Sequence, residues 1–353
     1  MLYFKLMAYI GDKVQTLWGV DKPNVVSVLA IIFVGVSTTA CLPDSHQKNS
    51  VKLDATAKAA NCSVEIIVLG TSQDAGTPQI GNPTDPAWKD PELRGYATSI
   101  ALIDYQAQAR YLFEATPDIR EQVQLLDKLA PMHTNQGRLG LAGIFLTHAH
   151  IGHYGGLIFL GHESASTKSL PLYAMPRMTQ YLQTNGPWSQ LVDFKNIDII
   201  PLENQSPIDL GPNITVTPYQ VPHRDEYSET VGFLLKTASK SLLFLPDIDN
   251  WDRWQDEYNV NIEEMIKSVD YAFIDATFYD DNELPGRDMS AIPHPSVVKS
   301  MDRFTRNIPK HRNKVHFIHV NHTNPIRYRD SSQSQKVESK GFNIARREDR
   351  HCL

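Results

Sequence analysis

The segment FLTHAHIGHYGGL, Phe145 to Leu157, places His148, His150 and His153 within six residues, directly after an apolar run. On a strand end, side chains two apart project to the same side. His148 and His150 can therefore reach one point. His153, about one turn further as the chain bends into a helix, can reach a point beside it. Imidazole is a common ligand for zinc, iron and other first-row metals. A lone histidine at a strand end is usually structural, whereas three at this spacing predict a metal centre.

Ligands of this kind need elements that hold them. LAGIFLT reads as a buried strand ending at the histidines, and YGGLIFLGHESA is expected to continue as a helix. Upstream, CSVEIIVLGT is a β-branched run closed by glycine, hence a strand. TSIALID and RYLFEA are two more. The intervening SQDAGTPQIGNPTDPAWKDPELRGY cannot be a regular element, and a loop this long is usually functional. TPDIREQVQLLDKL has Pro117 near its first turn and apolar residues at helical spacing. Downstream, PLYAM, ITVTPYQV, VGFLLKT, SLLFLPD, YAFIDAT and KVHFIHV are strand-like, with NIEEMIKSV and HPSVVKSMDRF as helices between them. The strands cluster and do not alternate strictly with helices. That favours two sheets covered by helices over one doubly wound sheet. No internal repeat is visible in the sequence.

HxHxxH after an apolar strand resembles the first metal motif of the metallo-β-lactamase superfamily, whose usual form has Asp just before the last His. The resemblance implies an α/β fold, an αββα four-layer sandwich. It also implies further ligands in chain order: His223 in QVPHRDEYSETVGF, Asp247 in LFLPDID and His319 in FIHVNHTNP. His148, His150 and His223 would hold one metal. His153, Asp247 and His319 would serve a second, with Asp247 bridging. VLGTSQDAGTPQ, EATPDIREQ, HYGGLIFLG, MPRMTQYLQTNGPWSQLV, FLPDID, DATFYDDNELPGRDMS and HVNHTNP resemble, more closely, the coenzyme PQQ synthesis protein B family, over about residues 64 to 350. That family is associated with making the quinone cofactor PQQ and has been linked with its transport.

Two departures from that family stand out. The early loop, Gly76 to Pro91, has no cysteine where the family carries a structural zinc cluster. The chain also keeps His148 and His150, which the family tends to lose, and has Gly152 in place of the Asp. The second metal site is therefore expected to be weaker or to recruit another ligand, with His322 and Asp249 as candidates. If Gly152 lacks a positive φ, Gly152→Asp is expected to strengthen that site.

These residues imply a metal-dependent hydrolase with one or two divalent ions, zinc first, manganese or iron as alternatives. Hydroxide generated at the metal would attack an ester, lactone or phosphodiester of a small-molecule substrate. His294 and His322 are the candidate proton donors by position, and Asp118 and Asp275 are expected to orient ligands from behind. A metal-dependent oxidation in PQQ biosynthesis, or carriage of PQQ or a similar small acid to the periplasm, are the alternatives.

The chain has 353 residues and a formal charge of -6. Mild acidity gives no support for nucleic-acid binding, and nothing in the composition sets an oligomeric state. Val25 to Val36, an uncharged apolar run preceded by lysines, reads as a signal-peptide core. STTACLPDS then resembles a lipoprotein cleavage site at Cys41, although Thr38 stands where leucine is usual. An uncleaved anchor is the other reading, and both put the domain outside the cytoplasmic membrane, attached only through its N-terminus. The expected organisation is an export segment over 1–41, a polar linker over 42–61 and the metallo-β-lactamase-like domain over 62–353. Cys62 and Cys352 could pair in an oxidising compartment or stay free.

Overall fold

The computed structural model describes residues 62–132, 137–289 and 292–353. The export segment, Cys41 and the linker lie outside the described residues. The strands are β1 (Val64–Gly70), β2 (Ser99–Asp104), β3 (Ala109–Phe113), β4 (Gly143–Phe145), β5 (Leu170–Ala174), β6 (Ile197–Pro201), β7 (Ile208–Gly211), β8 (Ile214–Gln220), β9 (Val231–Lys236), β10 (Ser241–Leu245), β11 (Tyr271–Asp275), β12 (Val315–Ile318), β13 (Asn343–Ile344) and β14 (Arg350–Cys352). They form two seven-stranded sheets, ordered β14-β1-β2-β3-β4-β5-β6 and β13-β12-β11-β10-β9-β8-β7. In the first, β1 to β3 run antiparallel and β3 to β6 parallel. In the second, β7 to β10 run antiparallel and β10 to β13 parallel. The two halves thus repeat one plan of connections, although no repeat shows in the sequence.

Alternation along each strand explains the layering. Ile66 and Val68 of β1, Ile100 and Leu102 of β2, and Leu242 and Phe244 of β10 enter one shared cluster between the sheets. Ile67 and Leu69, one residue out of phase, face the other side of the first sheet. There they meet α1 (Ile119–Leu129), α3 (Pro176–Thr184) and α4 (Trp188–Asp193) through Ile119, Val123, Leu126, Met178 and Trp188. Leu243 and Leu245 face α5 (Trp251–Tyr258), α6 (Ile262–Ser268), α7 (Val297–Asn307) and α8 (Ser332–Ser339) through Trp254, Ile266, Phe304 and Val337. The result is the αββα sandwich. Strands buried on both faces read as unbroken apolar runs, which is why they were legible in the sequence.

After the histidine motif the expected helix is only one turn, α2 (Ile151–Tyr154), followed by a 3₁₀ stretch over Gly155–Leu160. Two glycines disfavour an α-helix there, and the Gly156 amide is taken by the Ala115 carbonyl at 2.8 Å. The long early loop is irregular but tied down. Ser72 bridges both Ala97 and Val320, and Thr77 bridges Gly95. Cys62 and Cys352 form a disulfide that ties β14 to the start of β1, with Cα atoms 5.7 Å apart. Among the described residues no helix is long and apolar enough to cross a membrane.

Candidate metal centre

All the candidate ligands but His153, which sits on α2, directly follow the C-terminal end of a strand. His148 and His150 follow β4, His223 follows β8, Asp247 follows β10 and His319 follows β12. In open sheets the carboxyl ends of parallel strands are where sites form. Here both sheets present such ends to one place. Glu114 (φ 79°), just after β3, and His319 (φ 66°) hold left-handed backbone conformations. Such conformations are unfavourable for these residue types and cluster at functional sites.

The side chains meet around Asp247. His150 Nδ1 lies 2.9 Å from His148 Nε2 and 3.3 Å from His223 Nε2. Asp247 Oδ2 lies 2.9 Å from His153 Nε2 and 3.3 Å from His319 Nε2. Asp247 also faces the first trio, 3.8 Å from His148 Nε2 and 3.9 Å from His223 Nε2. His148, Asp247 and His319 are each at most 3% exposed.

The outer partners decide what the inner nitrogens can do. Glu226 accepts from His150 Nε2 at 3.0 Å, and Asp249 accepts from His223 Nδ1 at 2.9 Å. With those protons outside, His150 Nδ1 and His223 Nε2 face one another as bare acceptors. Thr277 Oγ1 donates to Asp275 at 2.8 Å, so it accepts from His319 Nδ1 at 3.0 Å. That leaves His319 Nε2 a bare acceptor beside a carboxylate oxygen, and both atoms are buried without a hydrogen-bond partner. Acceptors paired this closely in a buried site need a cation between them. Neutral imidazole and carboxylate suit zinc, and also manganese or iron. Among the described residues, three-residue groupings with ligand atoms within 4.8 Å occur for His148, His150 and His223, for His148, His153 and Asp247, and for Asp247, Asp275 and His294. The residues present fit a divalent metal.

The electrostatics agree. Burial holds the His148 pKa well below its usual range and lowers that of His150; it pushes His319 down to about 4. All three are thereby kept neutral, as ligands must be. Burial opposes the Asp247 charge, but His319, His153 and His223 hold its pKa well below the usual carboxylate range. His153 differs: burial works against its charged form, yet Glu114 and Asp247 raise its pKa to about 10, so it must give up a proton before it can serve as a ligand.

Several expectations need correction. Asp249 is no second-site ligand: its carboxylate is engaged by His223 and by Arg253 Nη1 at 2.6 Å. His322 does not join the cluster; its Nδ1 lies 3.4 Å from Asn82 Nδ2. Asp118 does not sit behind a ligand. Its Oδ2 accepts from the Ala97 amide at 2.7 Å and anchors the early loop. Asp275 does act from behind, 2.7 Å from His294 Nδ1 and bonded to Thr277. His294 in turn lies 3.8 Å from Asp247. Gly152 does not leave a gap for a carboxylate. A Cβ there would sit 2.4 Å from the Asp74 carbonyl oxygen, so a loop backbone occupies that place. Sequence reasoning missed Glu114, 3.3 Å from His153 Nδ1, along with Glu226 and Thr277. Glu114 ends a strand, the same signal that marked Asp247. Glu226 and Thr277 carry none.

Beside the cluster opens a cavity of about 620 Å³, lined by His294, His322, Arg224, Arg287, Asn321 and Thr323 among others. That volume suits a small organic molecule.

Residues 109–333 match the beta-lactamase superfamily domain. Coenzyme PQQ synthesis protein B of Rhizobium meliloti is 27% identical over 307 residues, covering 80% of this chain and 95% of that protein. The protein of the same name from Pseudomonas putida is 26% identical, covering 79% and 97%. Among solved structures, Zn(2+)-bound PqqB from Methylobacterium extorquens superposes with a TM-score of 0.66 at 20% identity, covering 82% of this chain and all of that one. A diphosphatase of the PhnP family reaches 0.56 at 19% identity, covering 82% and 98%. At these identities the superpositions show the fold.

Proposed function

This chain belongs to the beta-lactamase superfamily, and from that membership and the geometry we propose that it is a metal-dependent hydrolase of a small-molecule ester, lactone or phosphodiester. The observation that carries this reading is the set of converging ligand atoms, His148 with His150 and His223 and His148 with His153 and Asp247, beside a ligand-sized cavity. His148, His150 and His223 would hold one divalent ion, zinc first, and His153, Asp247 and His319 a second. A divalent ion there supplies Lewis acidity toward a carbonyl or phosphoryl oxygen and acidifies water. Glu226, Asp249 and Thr277 fix the ring orientations of His150, His223 and His319, which keeps the donor set assembled.

His294 is the better proton donor of the two histidines in the cavity wall. Burial disfavours its charge, but Asp275 and then Asp247 raise its pKa to about 9. It therefore holds a proton at neutral pH that a leaving group can receive. Burial and then Arg327 lower the pKa of His322. His322 is thus neutral at that pH and serves substrate binding.

The test is metal analysis of protein purified without added metal, with an ester, lactone and phosphodiester screen. Wild type is expected to retain a divalent metal and to turn over at least one substrate class. His148→Ala with His150→Ala is expected to lose the metal with an unchanged circular dichroism spectrum, because packing rests on the strands and not on their ends. A double variant with wild-type metal content would remove the metal-centre reading. A metal-loaded wild type inert in the whole screen would remove the hydrolase reading.

A second reading is favoured by the similarity to PQQ synthesis protein B. The chain would then take part in making PQQ through a metal-dependent oxidation, or carry PQQ or a similar small acid. Unchanged PQQ production in a deletion strain would dismiss it. In either reading we place the domain outside the cytoplasmic membrane, tethered through Cys41; the Cys62–Cys352 disulfide supports an oxidising compartment.

A further inference from the structure

Beyond the ends of β1 and β12, Gln73 donates from its amide to the Val320 carbonyl at 3.0 Å, and Val320 donates to the Thr71 carbonyl at 2.7 Å. Gln73 and Asn321 line the cavity beside the metal cluster. Their neighbours Ser72 and Val320 line a different cavity, of about 490 Å³. Successive residues of extended chain point to opposite sides, so the two cavities share this short wall.

The second cavity is rich in guanidinium groups. Arg94, Arg327, Arg329, Arg346 and Arg347 line it against three carboxylates. Arg327 is neutralised by Asp85, at 2.8 and 2.7 Å. Among the described residues no carboxylate forms an ion pair with the other four. Arg346 is half-buried, and its guanidinium meets neutral acceptors: the Ile326 and Arg327 carbonyls at 2.8 and 3.3 Å and Ser334 Oγ at 3.2 Å. Burial, and then the like charge of Arg329, lower its pKa. Arg347 is pinned by the Arg94 carbonyl at 3.0 Å and lies 4.8 Å over the Tyr96 ring. Arg346 and Arg347 are thus cations held in place and partly desolvated. Glu338 and Asp349 act on Arg346 only through space, and among the described residues no carboxylate pairs with either guanidinium directly, an arrangement that a bound anion would complete. A guanidinium fork matches the paired oxygens of phosphate and carboxylate.

We propose that this cavity is a second small-molecule site, for an anion carrying two or more phosphate or carboxylate groups, bound by Arg329, Arg346 and Arg347 with the Ser72 hydroxyl. It stands independently of the metal-centre reading. The rival account is that the arginines only pin the segment from Ile326 to Arg347 to the body.

The experiment is calorimetric titration of pyrophosphate, and separately of citrate, into the full chain stripped of metal by a chelator and dialysed. Stripping removes binding through metal. One saturable event is expected, weakened at least about 10-fold by Arg329→Ala and by Arg346→Gln. Arg224→Ala, in the other cavity, should leave it unchanged. The tighter of the two probes identifies phosphate or carboxylate as the ligand chemistry. Arg329 is exposed, so Arg329→Ala decides the matter even if Arg346→Gln does not fold. The proposal is overturned if neither probe saturates by about 10 mM. It is equally overturned if Arg329→Ala binds as wild type does, or if Arg224→Ala abolishes the event.

Discussion

Gly152 shows how one missing side chain can be misread. Its place in the motif suggests a lost ligand. In the fold, a Cβ there would meet the Asp74 carbonyl oxygen at 2.4 Å and the Asp74 carbonyl carbon and Cα at 2.7 Å each. Gly152 is not among the positive-φ glycines. Close approach of the early loop, and not backbone torsion, requires glycine. Gly152→Asp must push that loop outward, and is expected to lower stability by about 1–3 kcal/mol, the usual cost of overpacking. It is not expected to tighten the second metal site. Thermal melts and zinc titrations check both statements; a variant as stable as wild type with a newly tight second site would contradict them.

The elements carry the site through short segments after strand ends, and those segments hold each other. Between β11 and α7, the segment bearing His294 is bonded to the one after β12 through Glu283. Its carboxylate accepts from the Tyr279 amide and from the Thr323 hydroxyl. Burial raises the Glu283 pKa to about 7, against the pull of those two bonds. The folded state therefore keeps a proton that the unfolded chain releases near 4.5. The group's contribution to stability is full below the unfolded pKa and is lost as pH rises through the folded one. Glu283→Gln cannot titrate. Between about pH 5 and about pH 8, wild type is expected to lose more stability than the variant. Urea melts at the two pH values measure the difference, and parallel changes in both proteins would refute it.

Across the whole molecule, the sandwich brings the two chain ends of the domain together. The C-terminal β14 pairs with β1, and the disulfide closes a loop of sequence separation 290. Cross-linking so long a loop restricts the unfolded chain strongly. Cys62→Ser is expected to cost about 2–5 kcal/mol. Neither cysteine belongs to the metal cluster, so metal content should be unchanged. Denaturant midpoints with and without reductant, beside metal analysis, test this. Wild type unaffected by reduction would show that the bond adds nothing.

The sequence by itself determined ten of the strands, though not β6, β7, β13 or β14, the α1, α6 and α7 helices, and the histidine motif from His148 to His153. Those signals are short in range: apolar runs buried on both faces, helical spacing and polar residues just past strand ends. Resemblance supplied His223, Asp247 and His319 as further ligand candidates and the grouping of residues that lie far apart in the chain. What only the tertiary structure decided rests on contacts between distant segments. Glu114, after β3, meets His153 in the turn beyond the neighbouring strand β4, and Asp249 turns from candidate ligand to the acceptor that orients His223. His322 is drawn away by Asn82, across 240 positions of sequence. The reason Gly152 is glycine lies in a loop 78 positions earlier, at Asp74. No local pattern encodes such pairings, because they arise only when the sheets pack and bring their strand ends to one place.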